Sequence, residues 1–554
     1  MSSEKTMEQN FEEDYGKDCN DYNYKKDFRT VLPQFLAVSA KNLLLLGYGM
    51  TLGFSTILMP AVQSPRDGEV LHLDKREISW ISSINLIIVP VGCALSGLVT
   101  SPLGRKRAMQ LVNIPFCVAW LMFHFSTTTS HLYGALFITG LAGGLLEAPV
   151  LTYVAEITQP HVRGALAATS SLCIIIGVFT QFLFGLLFYW RTVALCNITF
   201  SILAIIALCF VPESPHWLVS KKRFEDASKS LQWLRGTNDP KAVEKELQDI
   251  EVSYKKEKVV DDTDETISER ISHYTKRSFL MPFFLVSFSF FIGHFSGMTT
   301  LQTYAVSIFH TLKAPIDKYF ATLILGLLQI IGSTACVVLV HYTGKRPLTF
   351  FSTAGAGLCC LFVASFDVYI RMYGMETATS TEDKDSTSEY TNVTTASIHE
   401  DTQSPYSWMP TTLLMLLALI SHTGLRLLPW ILIGEVFSAK TRAGGAGFAS
   451  AVGYIFGFLT NKMYISMVDA MSIWGTYGLY GCISFMGCII FYFILPETEG
   501  KRLIDIEDHF AGKKRLTNQV YRSKKEGQKD SSSSKMHELK GAFNPAFEGD
   551  FSKL

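Results

Sequence analysis

Residues 153–168, YVAEITQPHVRGALAA, and residues 433–445, IGEVFSAKTRAGG, carry one device twice: an acid late in an apolar run and an arginine seven residues on. Glu156 and Arg163 form the first pair, Glu435 and Arg442 the second. Upstream of each lies a glycine with two basic residues, Gly104-Arg105-Lys106 and Gly344-Lys345-Arg346. Downstream, Pro212-Glu213-Ser214 is echoed by Pro496-Glu497-Thr498. Gly104 stands 52 residues before Glu156 and Gly344 stands 91 before Glu435; the excess of 39 is close to the length of a Thr-, Ser- and acid-rich stretch inside the second interval. The chain reads as one unit duplicated, with an insertion in the second copy.

Composition says what the unit is. Of 554 residues, 48% are hydrophobic and 18% charged, and the apolar residues come in blocks such as LLLLGYGMTLGFSTILMPAV at 43–62. About 20 mainly apolar residues suffice to cross ~30 Å of hydrocarbon as a helix. Twelve such spans are expected, near 36–60, 79–100, 108–128, 131–156, 165–189, 192–211, 279–309, 319–342, 348–370, 408–436, 444–467 and 472–495. The fold class is therefore an all-α polytopic membrane protein of two six-helix halves, 36–212 and 278–496, an arrangement that places a solute site between the halves near the midplane. Polar tails are expected at 1–35 and 497–554, a helical linker at 213–277 and a polar loop at 371–407.

Equal numbers of basic and acidic residues, 49 each, leave no footprint for nucleic acid. The 11 cysteines include no CxxC pair and point to neither a metal site nor a disulfide framework. No cofactor is implied, and the lack of a nucleophile–base set or phosphate loop argues against an enzyme. MSSEKTMEQNFEEDYGKDC has no apolar core of a signal peptide, so the first span is expected to direct insertion. Loop charges barely separate the two faces, eight against seven. Lys25, Lys26 and Arg29 before the first span, and the sequon at Asn392 in loop 371–407, place both termini in the cytoplasm and that loop outside. Asn197 also heads a sequon but lies within a span.

GRKR, YVAEITQPHVRGALAA, PESPHWLVSKKR, IGEVFSAKTRAGG and LPETEGKRLIDIE together resemble the signature set of the sugar porters of the major facilitator superfamily, over roughly 35–510. The nearest flavour is that of animal facilitative glucose transporters and the insect trehalose-transporter-like group. The resemblance implies a plasma-membrane carrier of a small solute, embedded in lipid and working as a monomer. It also implies a cytoplasmic latch of Arg105, Glu156, Arg163, Glu213, Lys345, Glu435 and Arg442, with ion pairs between the halves and the 213–277 bundle docking on Arg163, Lys345 and Arg442 when the inner gate shuts. The plainer alternative is that these charges only set topology. Ser101 and His341 stand where the family has acids, and His216 where it has arginine, which suggests a looser latch.

The family's sugar-binding positions map onto Ser171, Gly293, His294, Thr299, Gln329, Trp430, Ser450 and Tyr454. Sugar sites favour amides, which both donate and accept, beside an aromatic platform. Here the platform Trp430 is present, Gln329 is the one amide, and FFIGHFSGMTTLQTYAVSIF (290–309) offers Gly293-His294 where the family has two glutamines. New charges appear: Glu147, nine residues before Glu156, and Arg426, one turn before Trp430, with His422 a turn further. A charge at the bilayer centre costs about 2.5–3.5 kcal/mol on insertion scales, so it faces a cavity or a partner. Glu147 and Arg426 are expected either to pair across the cavity or to present charge to the solute, and the histidines either to line the site or to pack. The acid that proton-linked members carry in the first span is Ser55 here. The function expected is facilitated transport of a small polar solute, a hexose or trehalose by family, with a proton-coupled or organic-ion carrier or a non-transporting sensor as alternatives.

Overall fold

A computed structural model describes residues 28–64, 69, 71–261, 272–381, 408–438, 441–501, 503–513 and 516. Asn392, most of both expected tails and most of loop 371–407 lie outside the described residues, as does the side chain of Arg442. The first half comprises α1 (Phe28–Gln63), α2 (Lys75–Ile81), α3 (Ile84–Leu103), α4 (Arg105–His124), α5 (Thr129–Leu145), α6 (Glu147–Ile157), α7 (Pro160–Leu187) and α8 (Trp190–Cys209). The linker forms α9 (Pro215–Ser220), α10 (Phe224–Arg235) and α11 (Lys241–Asp261). The second half comprises α12 (Arg277–Phe295), α13 (Met298–Thr303), α14 (Ala305–Thr311), α15 (Lys318–Thr343), α16 (Lys345–Thr381), α17 (Trp408–His422), α18 (Leu428–Glu435) and α19 (Arg442–Ile494), followed by α20 (Leu503–Ala511).

Among the described residues nine helices are long and apolar enough to cross a membrane. One, 444–494, is far longer than a single crossing requires, and its backbone leaves the helical region at Met471 and Ser472, so it supplies two. The charged first turn of α4 and the turn at 423–427 between α17 and α18 keep these two stretches out of the nine, yet both pack in the bundle.

Three boundaries differ from expectation. α1 starts at Phe28, since a helix need not end where the apolar run does. α16 runs to Thr381, into the expected loop. The span expected at 279–309 is three helices: Gly297, at φ +86° and where a Cβ would lie 2.9 Å from the Tyr480 ring, parts α12 from α13, and Tyr304 (φ −105°, ψ 18°) parts α13 from α14.

Lipid offers no hydrophobic drive between helices, so close packing of small residues takes over. A Cβ on Gly49 would meet the Ile174 carbonyl oxygen at 2.0 Å, and one on Gly177 the Leu46 oxygen at 2.1 Å, which fixes α1 against α7. Gly144 does the same for α5 and α3, and Gly332 for α15 and α17. The halves meet along two seams, α7 with α15 and α3 with the first crossing of α19, which are images of each other under the repeat. The linker helices enclose a small core of Trp217, Leu218, Ala227, Leu231 and Val243. They hang on the first half: Trp217 Nε1 donates to the Ser101 carbonyl at 3.0 Å and Arg235 Nη1 to the Ile157 carbonyl at 3.1 Å.

Candidate transport site

The duplicated motifs fold into two matching clusters on one face. Gly104 (φ +91°, ψ 168°) and Gly344 (φ +89°, ψ 166°) turn the chain identically into α4 and α16. The first N–H groups of a helix lack intrahelical partners, and a carboxylate from the end of each half supplies them. Glu213 accepts from the N–H groups of Arg105 and Lys106, both at 3.0 Å, and Glu497 from those of Lys345 and Arg346 at 3.2 and 3.0 Å. The first basic side chain of each loop reaches the acid of its own half, Arg105 to Glu156 at 2.7 Å and Lys345 to Glu435 at 2.6 Å. Ser214 donates to Glu156, and Thr498 to Glu435 at 2.9 Å.

In this conformation, sealed on the opposite face, each cluster closes within its own half; the expected pairs between the halves belong to the state in which the inner gate is shut. Spacing reveals which residues are equivalent under duplication, not which copy they bind. Arg163 donates to the Thr158 carbonyl at 3.2 Å and lines a cleft with Glu156, His216, Arg235 and Glu246. Burial holds the His216 imidazole below its ordinary pKa, with Arg163 and Arg105 adding to the effect and Glu156 and Glu246 opposing it. In the second cluster, burial pushes Glu499 up but Lys345, at 2.9 Å, and His341, at 3.0 Å, outweigh it and hold the carboxyl below its usual range.

Polar contacts between the halves run along the opposite face. Lys75 pairs with Asp469 at 2.8 Å, and Lys462 lies 3.7 Å from the centroid of the Trp80 ring. Ser79 donates to the Lys462 carbonyl at 2.9 Å, Thr56 to that of Gln302 at 2.9 Å, and Asn461 to that of Ser82 at 3.1 Å. Tyr304 closes the set on the Ser82 hydroxyl at 2.7 Å. The halves are sealed on this face.

Between seam and clusters, Glu147, His294, Arg426 and Tyr454 are surrounded by protein yet keep accessible surface, which places them on an internal cleft. Trp430, 36% exposed, stands edge-on to Phe290 and Tyr454, with centroids 5.1 and 5.9 Å apart. Tyr454 in turn lies near Tyr48 of the first half and Glu147. Arg426 sits in the turn between α17 and α18, and its Nη1 donates to Thr299 Oγ1 at 3.0 Å and to the Gly293 carbonyl at 3.3 Å. Gly293 and Thr299 therefore hold Arg426. The pairing of Glu147 with Arg426 is not made, and neither has an oppositely charged partner among the described residues. His422 is buried and bonds its own helix at the Ala418 carbonyl, 2.9 Å away, so it packs rather than lines the site. Ser450 and Gln329 are buried, Gln329 with its Nε2 unpartnered, and Ser171 is half-buried on α7.

One charge escaped the sequence reading. Lys41 in α1 has no accessible surface, and its Nζ lies 2.5 Å from Ser170 Oγ, next to Ser171. The rule that singles out Glu147, a charge inside an apolar span, applies equally to it. Tyr48, Ser82 and Asn461 carry no such signal, because hydroxyls and amides are common inside spans.

Two duplicated helical halves, closed against each other on one face around an internal cleft, define a membrane transporter fold. The family described as "Sugar (and other) transporter" matches residues 35–510, and the chain belongs to it. It is 25% identical over 487 residues to the facilitated trehalose transporter Tret1 of Bombyx mori, covering 88% of each chain. With Tret1 of Apis mellifera ligustica it shares 26% over 488 residues, 88% of this chain and 89% of that one. In fold it is similar to the inward-open conformation of the xylose transporter XylE from E. coli, with a TM-score of 0.63 and 17% identity over 85% of this chain and 98% of that one. It is likewise similar to the proton:xylose symporter XylE bound to 6-bromo-6-deoxy-D-glucose, with a TM-score of 0.61 and 18% identity over 87% and 99% of the two chains.

Proposed function

We propose that this chain is a facilitative transporter that carries a sugar, a hexose or trehalose, across the membrane by alternating access. The observation that carries the proposal is the mirror pairing of the two clusters, Glu213 and Glu497 on the loop amides with Arg105–Glu156 and Lys345–Glu435 beneath them. It makes each half a rigid body able to rock about the cleft. The face bearing the clusters is the cytoplasmic one, the termini lie on it, and the sealed seam faces outside. The first span offers Ser55 where proton-linked relatives have an acid, and Ser55 is buried, which favours uniport. The sugar sits against Trp430 and Tyr454.

Counterflow tests the proposal. The purified chain in proteoliposomes loaded with unlabelled glucose or trehalose takes up the labelled sugar saturably without a pH gradient. A flat response to both, by protein that melts cooperatively, overturns the sugar assignment, and accumulation only under a proton gradient overturns uniport.

A further inference from the structure

Glu147 stands nine residues before Glu156, and Arg426 stands nine before Glu435. Glu156 and Glu435 are equivalent in the repeat, as their matching ion pairs show, so Glu147 and Arg426 are equivalent too: one position, two copies, opposite charges. The local structure agrees. Glu147 opens α6 just after the break at Leu146, and Arg426 lies in the break between α17 and α18. Both breaks bring a side chain toward the cleft that the halves share.

The second half builds a donor pole around Arg426. A guanidinium has only donors, so Thr299 Oγ1 accepts from Arg426 and has its own proton left for His294 Nδ1, 3.0 Å away. That network assigns the neutral ring with its proton on Nε2. Gly457 leaves room for this ring, since a Cβ there would stand 3.0 Å from Cε1. Arg426 Nε and Nη2 meet no acceptor among the described residues and are not sealed from solvent. The first half answers with Glu147, an acceptor with no hydrogen-bond partner among the described residues, near the hydroxyls of Tyr48 and Tyr454.

A neutral sugar does not need an uncompensated guanidinium, whose burial without an acid is costly. We propose, resting on the sugar reading above, that the site takes a sugar bearing a carboxylate, of the hexuronate class. Its carboxylate accepts from Arg426 and His294, its ring lies against Trp430, and its hydroxyls donate to Glu147. The amides missing from Gly293 and His294 are thereby replaced by a site of fixed polarity, which sets the orientation of the ligand.

The test uses the full chain in proteoliposomes, with D-glucose and D-glucuronate as probes. Wild type is expected to take up labelled D-glucuronate saturably, and D-glucuronate to compete with D-glucose more strongly than a second neutral hexose does. In Arg426→Gln the ratio of D-glucuronate to D-glucose affinity is expected to fall about 10- to 100-fold, the range of a hydrogen bond to a charged group. Arg426→Lys, which keeps the charge, recovers part of it. Saturable D-glucose counterflow in wild type with no competition by D-glucuronate overturns the inference and leaves the sugar reading standing. An unchanged ratio in both Arg426 variants overturns it as well. If neither probe gives saturable flux or competition, the sugar reading falls and takes the inference with it. The wild-type arm decides even if a variant fails to fold.

Discussion

Arg105 and Lys345 leave their glycines at the same φ and ψ, meet Glu156 and Glu435 at 2.7 and 2.6 Å, and have their backbone N–H groups taken by Glu213 and Glu497. Nine residues before those acids the halves part, with Glu147 in one and Arg426 in the other. At the clusters both copies meet the same demand, since each must cap a helix and hold a loop. In the site proposed above they face one solute from two sides, and there identity would serve nothing. Duplication keeps what is mechanical and differentiates what is chemical.

The match is not perfect, and its imperfection ranks the predictions. Lys345 serves two acids, Glu435 and Glu499, and is 6% exposed, whereas Arg105 serves one and is 19% exposed. Lys345→Ala takes the lysine from two carboxylates, leaving Glu435 with Thr498 and Glu499 with His341, and breaking a buried pair of this kind costs about 3–5 kcal/mol. Arg105→Ala is expected to cost about 1–3 kcal/mol. Thermal unfolding of the two variants in detergent ranks them, and equal shifts would mean that Glu499 adds nothing.

Gly104→Ala and Gly344→Ala probe what is shared. Each forces a side chain into the left-handed region at about 1–3 kcal/mol. At Gly104 the added Cβ also stands 2.5 Å from Glu213 Oε2, so Gly104→Ala is expected to lower the melting temperature and to displace the Glu213 cap. Glu213→Ala, which leaves the N–H groups of Arg105 and Lys106 without their cap, loses about 0.5–2 kcal/mol. Its measure is faster amide exchange at the start of α4 with α16 unchanged.

The smallest effect is a matter of pH. Pro215 stands in the first half where Glu499 stands in the second. The folded pKa of Glu499 is depressed by Lys345 and His341. Its stabilisation is therefore present above the unfolded carboxylate value of about 4.3 and lost as pH falls through the folded value. Between about pH 5 and pH 3 the melting temperature of wild type is expected to fall further than that of Glu499→Gln. Parallel curves would remove Glu499 from the cluster.

Much of this was legible in the chain itself. Apolar blocks revealed the spans, and Glu156/Arg163 against Glu435/Arg442 revealed the duplication. Trp430 and Tyr454, which the family resemblance assigns to the sugar, pack edge-on with ring centroids 5.9 Å apart. Partners were harder. Lys345–Glu435 closes within a half, and nothing in a one-dimensional spacing distinguishes that from pairing across halves. Arg426 turned to Thr299 and the Gly293 carbonyl, and a backbone carbonyl leaves no mark in a sequence. Lys41 carries the same signal as Glu147, a charge inside an apolar span.

Three of the hydrogen bonds that hold the sealed face, from Ser79, Thr56 and Asn461, end on main-chain carbonyls, those of Lys462, Gln302 and Ser82. A carbonyl survives most side-chain replacements. Those three acceptor positions are thus free to drift over evolutionary time while the closure keeps its register, and selection on this face acts chiefly on the donors.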